Sequence, residues 1–393
     1  MKLSYVIVTH NRCEPLLKTL RILHQDTPLS KDDWEAWVVD NGSTDGTCEA
    51  VRSEFPEVKI IARPTNEGVW SRSYAFEPAA GKYLVLLDDD SYPTGDAATR
   101  SMAYMESQPK CAAVVGRVVL PDGSYEACAF PAVMLSGAVC IRRSVLLQLG
   151  GFRPEFFRKA GEYDLSFRLW DAGYRIERFE DLVYRHDKVT TGRSAGFAHR
   201  MDLRNNLILV ERYLPADLRA VYRQDFIQRY TALARHAGHL TSAYQARSEA
   251  ALWRVREAVS GRKTLKPQTI ETIFELQSQA AMIKLWAKAN GLKRIAIADF
   301  SKNIYATYDG CVRAGLEITA ISENHAAFAG LNYRGIAVLP DDRAIAMQPD
   351  GVVISNVNPA QIHGVERRLK VIFHGPMLKL WRPMLLSHLR QAA

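Results

Sequence analysis

The chain has 393 residues, 47% hydrophobic and 24% charged, with a formal net charge of +8, which is the composition of a globular protein long enough for two or three domains. Its six cysteines (Cys13, Cys48, Cys111, Cys128, Cys140, Cys311) are scattered without a C-x-x-C pair, which argues against a zinc site or a disulfide framework and reads as the reduced thiols of a cytosolic protein. The positive balance suits nucleic acid, anionic lipid or phosphate-bearing substrates and separates none of them, and no apolar run approaches the roughly 20 residues that span a bilayer. The opening MKLSYVIVTH runs directly into a strand, so no signal peptide is expected.

Leu3 to Thr9 predicts the first strand, followed by His10-Asn11-Arg12 and a helix with Leu16, Leu17, Leu20 and Leu23 on one face. Trp34 to Asp40 is the second strand, closed by the turn-rich run from Asn41 to Thr47 that leads into a helix from about Cys48 to Phe55. Val58 to Ile61 is a short third strand, and Asn66-Glu67-Gly68 opens a further helix reaching Ala80. Tyr83 to Leu87 is the fourth strand, apolar on both faces and short, as in a buried parallel sheet. Strands alternating with helices in this way predict a doubly wound α/β domain.

The fourth strand ends in three consecutive carboxylates, Asp88, Asp89 and Asp90, whose mutual repulsion is offset if a divalent cation sits there. Mg²⁺ and Mn²⁺ both take carboxylate oxygens together with substrate phosphates. Thr9, Asn11, Arg12, Asp40 and Asn66 also follow strand ends, which places them on the carboxyl edge where open α/β sheets bind ligands. Neither G-x-x-x-x-G-K-[ST] nor G-x-G-x-x-G occurs there, so neither a P-loop nor a dinucleotide fingerprint explains them.

The series VIVTHNR, VVDNGSTDGT, NEG and LLDDDSYP resembles the nucleotide-sugar half of family 2 glycosyltransferases with the GT-A fold, in order and spacing over about half the chain. The resemblance implies that Thr9 and Asp40 contact the nucleotide and that Asn11, Arg12 and Asn66 line the same pocket. It makes Asp88 and Asp90 the D-x-D pair that holds Mn²⁺ or Mg²⁺ on the diphosphate, with Asp89 in the same nucleotide-sugar site. GVWSRSYAF departs from the open, glycine-rich sequence of many relatives, so Trp70 and Arg72 are expected to reshape the sugar or phosphate neighbourhood.

The acceptor half runs from about Cys111 to Asp187. AGEYDLSFRLWDAGYRI is a helix whose first turn carries Glu162 and Asp164; the helix dipole favours carboxylates there, so capping is one reading of both. The stretch also resembles the family's E-D-x-D-L-x-x-R segment, which implies a catalytic base, with Glu162 the first choice and Asp164 the second. Leu182 to Tyr184 is a strand followed by Arg185-His186-Asp187, and in similar enzymes a histidine at this point joins the D-x-D as a metal ligand. Lys188, Arg193 and Arg200 are either surface charges or cover the diphosphate when the loop closes.

Three segments are expected: a catalytic domain over 1–196, a helical extension over 197–291 and a small Rossmann-like domain over 292–393. MDLRNNLILVERYLP and DFIQRYTALARHAGHL are amphipathic with a basic polar face, and either pack on the catalytic domain or attach to anionic lipid or a lipid-linked acceptor. In the third segment the first strand is followed by DFSKNIY, without the glycines a pyrophosphate needs, so a scaffold, partner-binding or effector-binding role is expected, with room for a small ligand at Asn356 and Asn358. The tail MLKLWRPMLLSHLRQ is apolar and basic, and packs on this domain, a partner or a bilayer surface.

The function expected is an inverting, metal-dependent glycosyltransferase of the bacterial surface-polysaccharide type. Its donor is a UDP, dTDP or GDP sugar, and its acceptor a hydroxyl of a glycan or lipid-linked saccharide. No nucleic acid is expected as a partner, and the location is cytoplasmic, with the inner face of the membrane left open. The alternatives are a catalytically silent nucleotide-sugar-binding scaffold and a sugar-nucleotide pyrophosphorylase, which needs a basic glycine-rich loop that VIVTHNRCE does not provide.

Overall fold

The computed structural model describes residues 1–189 and 194–381. Arg193 and the tail beyond Trp381 lie outside the described residues. The chain divides into two compact units, one containing 1–127 and 133–189, the other 128–132 and 194–381.

The first unit alternates β1 (Leu3–Thr9), α1 (Cys13–Asp26), β2 (Trp34–Asp40), α2 (Thr47–Glu54), β3 (Lys59–Ala62), a 3₁₀ segment (Val69–Ala75) and β4 (Tyr83–Asp88). It continues with β5 (Ser91–Pro93), α3 (Ala97–Ser107), β6 (Cys111–Val119), β7 (Tyr125–Glu126), β8 (Ala138–Arg142), α4 (Arg143–Leu149), α5 (Gly161–Asp171) and β9 (Arg175–His186). Strand order is β3-β2-β1-β4-β8-β6-β9-β5. The first four strands are parallel, as expected of a doubly wound sheet, and antiparallel pairing begins at β4–β8. Alternation along β4 splits the core in two. Val85 and Leu87 face Leu16 and Leu20 of α1 and Met105 of α3, whereas Leu84 and Leu86 face Leu146 of α4 and Leu165 and Leu169 of α5. All of these side chains are fully buried, each stabilising by roughly 1.5–3 kcal/mol.

The helix expected from Asn66 to Ala80 is instead a 3₁₀ turn of seven residues, Val69–Ala75. Its entry explains the difference. Gly68 has φ +85°, and a Cβ there would lie 2.1 Å from the Phe157 carbonyl oxygen, which accepts from the Val69 amide at 2.8 Å. The backbone is pinned against the 157 loop before a regular helix can form. The strand expected over Leu182 to Tyr184 is also longer, twelve residues from Arg175 to His186.

The second unit holds α6 (Ala195–Tyr213), α7 (Ala216–His236), α8 (Leu240–Val259), α9 (Pro267–Phe274) and α10 (Leu276–Asn290). These are followed by β10 (Arg294–Ala298), α11 (Ile304–Arg313), β11 (Glu317–Ser322), β12 (Asn332–Tyr333), β13 (Ile336–Leu339), α12 (Asp341–Ala346), β14 (Gly351–Ile354), α13 (Ile362–Lys370) and β15 (Met377–Lys379). The sheet order β12-β13-β11-β10-β14-β15 is parallel except for the β12–β13 pair. Tyr222 on α7 donates to Asn303 Oδ1 at 2.7 Å, and Tyr333 donates to Asp225 Oδ2 at 2.8 Å, so buried polar pairs join the helices to this sheet. At its carboxyl edge Asn356 donates to Asp299 Oδ2 at 2.5 Å and to Gln361 Oε1 at 2.8 Å. Asp299 is half-buried with φ 73°; desolvation first, then its hydrogen bond and charge interaction with Glu323, push its carboxyl up to about 6.

Two predictions follow from these positions. Gly68→Ala is expected to lower the unfolding temperature by several degrees, as a substitution forcing backbone apart does. Gly46→Ala, with φ +80° but open space around it, costs only the strain of about 1–3 kcal/mol; equal effects in a thermal melt would contradict the clash. The raised Asp299 carboxyl contributes stability fully below its ordinary value near 3.9, and loses it as pH rises through about 6. The stability difference between the wild type and Asp299→Asn should therefore fall between pH 4 and pH 7, and a flat difference would refute this assignment.

Candidate active site

The parallel register of β1 with β2 and β4 sets the site. It pairs Thr9 with Asp40 and Val8 with Asp88, so the polar residues that end three strands gather on one edge. The chain then separates the three carboxylates. Asp88 is 39% exposed at its side chain, and its Oδ1 accepts from Arg72 Nη2 at 2.8 Å. Asp89 turns inward, accepting from Thr9 Oγ1 at 2.9 Å and pairing with Arg12 Nη1 at 2.7 Å. Asp90 pairs with Arg12 Nη2 at 2.6 Å and accepts from the Val189 amide at 2.8 Å. One guanidinium fork therefore grips two adjacent carboxylates.

Asn11 sits at φ 50°; its amide donates to Ser43 Oγ at 2.8 Å and its Oδ1 accepts from the Thr44 amide at 2.7 Å. The first strand's exit is thereby tied to the Asp40–Thr47 turn. Asp40 is buried, accepting from the Ser43 amide at 3.1 Å, from the Ser43 hydroxyl, and from Cys48 Sγ at 3.3 Å. Asn66 accepts from the Gly68 amide at 2.9 Å, holding the turn before the 3₁₀ segment. Arg72 is fully buried, donates to the Ser136 and Val69 carbonyls, and has Asp88 as its ion-pair partner. Its place in the sequence marks it as bulky, but only the fold shows that it aims the first carboxylate.

His186 ends β9. Its Nδ1 lies 2.6 Å from Glu126 Oε2, and its Nε2 lies 3.3 Å from Asp90 Oδ1. Burial works against charge on the ring, but hydrogen bonds to Asp90 and Glu126 outweigh it and push the imidazole up to about 10. Burial likewise works against the charged Asp90, yet His186 and Arg12 hold it well below the usual carboxylate range. Asp89, the most enclosed of the three, is pushed up to about 7 by burial, against the pull of Arg12. Glu126 was not singled out from the sequence. The turn at Leu120 to Ser124 places it beside Val118 on β7, and that Pro-Asp-Gly turn was its readable signal.

Asp90 Oδ1 and His186 Nε2 are both buried and face each other at 3.3 Å, and among the described residues neither atom has another hydrogen-bond partner. Among the described residues no group of three or more His, Cys, Asp or Glu side chains is arranged to hold an ion. The residues present fit a divalent cation with two protein ligands, Asp90 and His186, whose remaining positions are filled by phosphate oxygens and water. Asp90 and Glu126 flank the two ring nitrogens of His186, so the spot is acidic on both sides of the ring. Asp88 is turned to Arg72, and its charge also acts on His186.

Glu162 lies in the first turn of α5, half-buried, after two non-glycine residues in left-handed conformation, Lys159 at φ 70° and Ala160 at φ 62°. Asp164 is fully buried and paired with Arg168 at 2.7 Å and Arg153 at 3.7 Å. It ties the helix down through its i,i+4 partner. Lys188 reaches Glu126 at 3.6 Å, and Arg200, in the other unit, is paired with Glu249.

The family described as Glycosyl transferase family 2 matches residues 4–127, about a third of the chain. The glycosyltransferase AglE of Haloferax volcanii is 26% identical over 203 residues, which are 47% of this chain and 66% of that protein. The hyaluronan synthase of Pasteurella multocida is 24% identical over 233 residues, 54% of this chain and 23% of the synthase. The chain thus spans less than two thirds of either relative. The solved structure of S. aureus TarS 1-349 superposes with a TM-score of 0.48 at 17% identity, covering 80% of this chain and 92% of that one. The matched segment holds β1 to β7 and, within them, Thr9, Asn11, Arg12, Asp40, Asn66, Arg72 and all three carboxylates. Over residues 4–127 this chain is similar to the family 2 glycosyltransferases.

Proposed function

We propose that this chain moves a sugar from a nucleoside diphosphate (UDP, dTDP or GDP) to a hydroxyl of a glycan or lipid-linked saccharide, with inversion at the anomeric carbon. The observation that carries this reading is the pair Asp90 Oδ1 and His186 Nε2, buried and facing each other beside the Arg12 fork on the carboxyl edge of the sheet. The family of residues 4–127 supports it.

In this reading Asp40, Thr9, Asn11 and Asn66 shape the nucleotide pocket, and Arg12 holds Asp89 and Asp90 in place. A divalent cation bound by Asp90 and His186, Mn²⁺ or Mg²⁺, would neutralise charge developing on the leaving diphosphate. Glu126 orients His186 from behind, as outer partners of metal-binding imidazoles do. Glu162 is the base: it takes the acceptor's proton as the acceptor oxygen bonds to the anomeric carbon and the bond to the diphosphate oxygen breaks. Asp164 is buried and paired with Arg168 and Arg153, a structural role in that turn. Among the described residues no helix is long and apolar enough to cross a membrane.

Transfer, read as release of nucleoside diphosphate with an acceptor present, should lose about 10²–10⁴-fold in kcat on Glu162→Gln while donor Kd stays unchanged. Unchanged turnover would remove Glu162 from the role. Glu126→Gln should weaken Mn²⁺ binding, followed by electron paramagnetic resonance with nucleotide present, by about 10–100-fold. Wild-type Mn²⁺ affinity in that variant would show that His186 does not hold the ion.

A further inference from the structure

Helices α6, α7 and α8 line an open pocket of about 550 Å³ that the sugar-transfer chemistry does not use. Arg223 from α7 and Arg247 and Arg254 from α8 line it, over apolar walls of Leu207, Ile227 and Tyr244. Buried Glu211 fixes the Arg223 guanidinium at 2.5 Å and approaches Arg262 at 3.6 Å. Among the described residues neither Arg247 nor Arg254 pairs with a carboxylate, and both are exposed. The nearby Arg219 is made less basic by burial and then by the charges of Arg262, Arg223 and Arg254, a sign of how closely the cations crowd.

Residues 195–262 contain eleven arginines, no lysine and six carboxylates. The planar fork of arginine, unlike the point charge of lysine, binds phosphate through two parallel hydrogen bonds. Beside the pocket α8 carries an outward apolar stripe: Tyr244 is 53% exposed, Leu252 72%, Val255 63% and Val259 83%. Their spacing puts all four on one helical face. Arg247 and Arg254 border the stripe on the pocket side.

We propose that this face docks on a bilayer of anionic phospholipid, with a lipid phosphate entering the pocket between Arg223, Arg247 and Arg254 and the α8 stripe bedded at the acyl boundary. An acidic peptide would satisfy the guanidiniums but leave Leu252, Val255 and Val259 uncovered. A second copy of the same face would bring like charges together. An anionic membrane surface answers both features, since cations near it and apolar side chains in it act together.

The test is co-sedimentation of the full chain with vesicles of phosphatidylglycerol mixed with phosphatidylcholine, and with vesicles of phosphatidylcholine alone. Binding to the first but not the second is expected, weakening as salt is raised. Arg247→Gln with Arg254→Gln should cut that binding at least tenfold, and Leu252→Ser with Val255→Ser should cut it severalfold. All four residues are exposed, so both double variants should melt like the wild type. Binding to neither vesicle, equal binding to both, or wild-type binding by the double variants would overturn the proposal. So would release by millimolar inorganic phosphate with no effect of the Leu252/Val255 pair, which would mark a site for free phosphate alone. Donor binding is measured separately, so neither result decides the other.

Discussion

The site rests on one guanidinium. Arg12 reaches from the loop after β1 to Asp89 at 2.7 Å and Asp90 at 2.6 Å at the end of β4. Two unpaired carboxylates about 4 Å apart near a protein surface would repel by about 4 kcal/mol. The fork reaches them because β1 and β4 are neighbours in parallel register, which brings the exit of one beside the carboxylates of the other. Thr19 on α1 adds a bond to the Asp89 carbonyl at 2.8 Å, so the helix that covers the sheet also helps fix the acidic turn.

The rest of the site follows from how each remaining charge is handled. Asp88 is left to Arg72, a cation buried in the 3₁₀ segment. Asp90 keeps one oxygen facing His186, and Glu126 anchors the far side of that ring. Among the described residues of this unit, the non-glycine residues with left-handed backbone are Asn11, Lys159, Ala160 and Lys188. They lie after β1, before α5 and after β9, the segments that carry the candidate side chains. Such conformations cost about 1–3 kcal/mol each and persist where surrounding structure imposes them.

Much of this was legible in the sequence because it is local. The apolar run into Asp88-Asp89-Asp90 marks a buried strand end, and Leu16, Leu17, Leu20 and Leu23 mark the face of α1 that is buried. The i,i+4 spacing of Asp164 and Arg168 was also there to read, and it explains why one carboxylate of that turn is structural. What escaped reading depends on distant pairing. Glu126 meets His186 only because β7 and β9 both flank β6. Arg72 meets Asp88 only because the chain between Asn66 and Ala75 tightens to 3₁₀ against the Phe157 carbonyl. In the second unit, the periodicity of α6 to α8 announced amphipathic helices, yet the outward direction of the α8 stripe depends on which faces α6 and α7 already occupy.

The central claim is that the carboxyl edge around Arg12 holds a nucleoside diphosphate together with a divalent cation. Thermal unfolding against UDP, dTDP and GDP, each with and without Mn²⁺, tests it most directly, because a ligand that binds the native state raises the melting temperature by mass action. The account predicts a rise for one nucleotide that depends on Mn²⁺. No rise with any of the three at saturating concentration, with or without the ion, would contradict it.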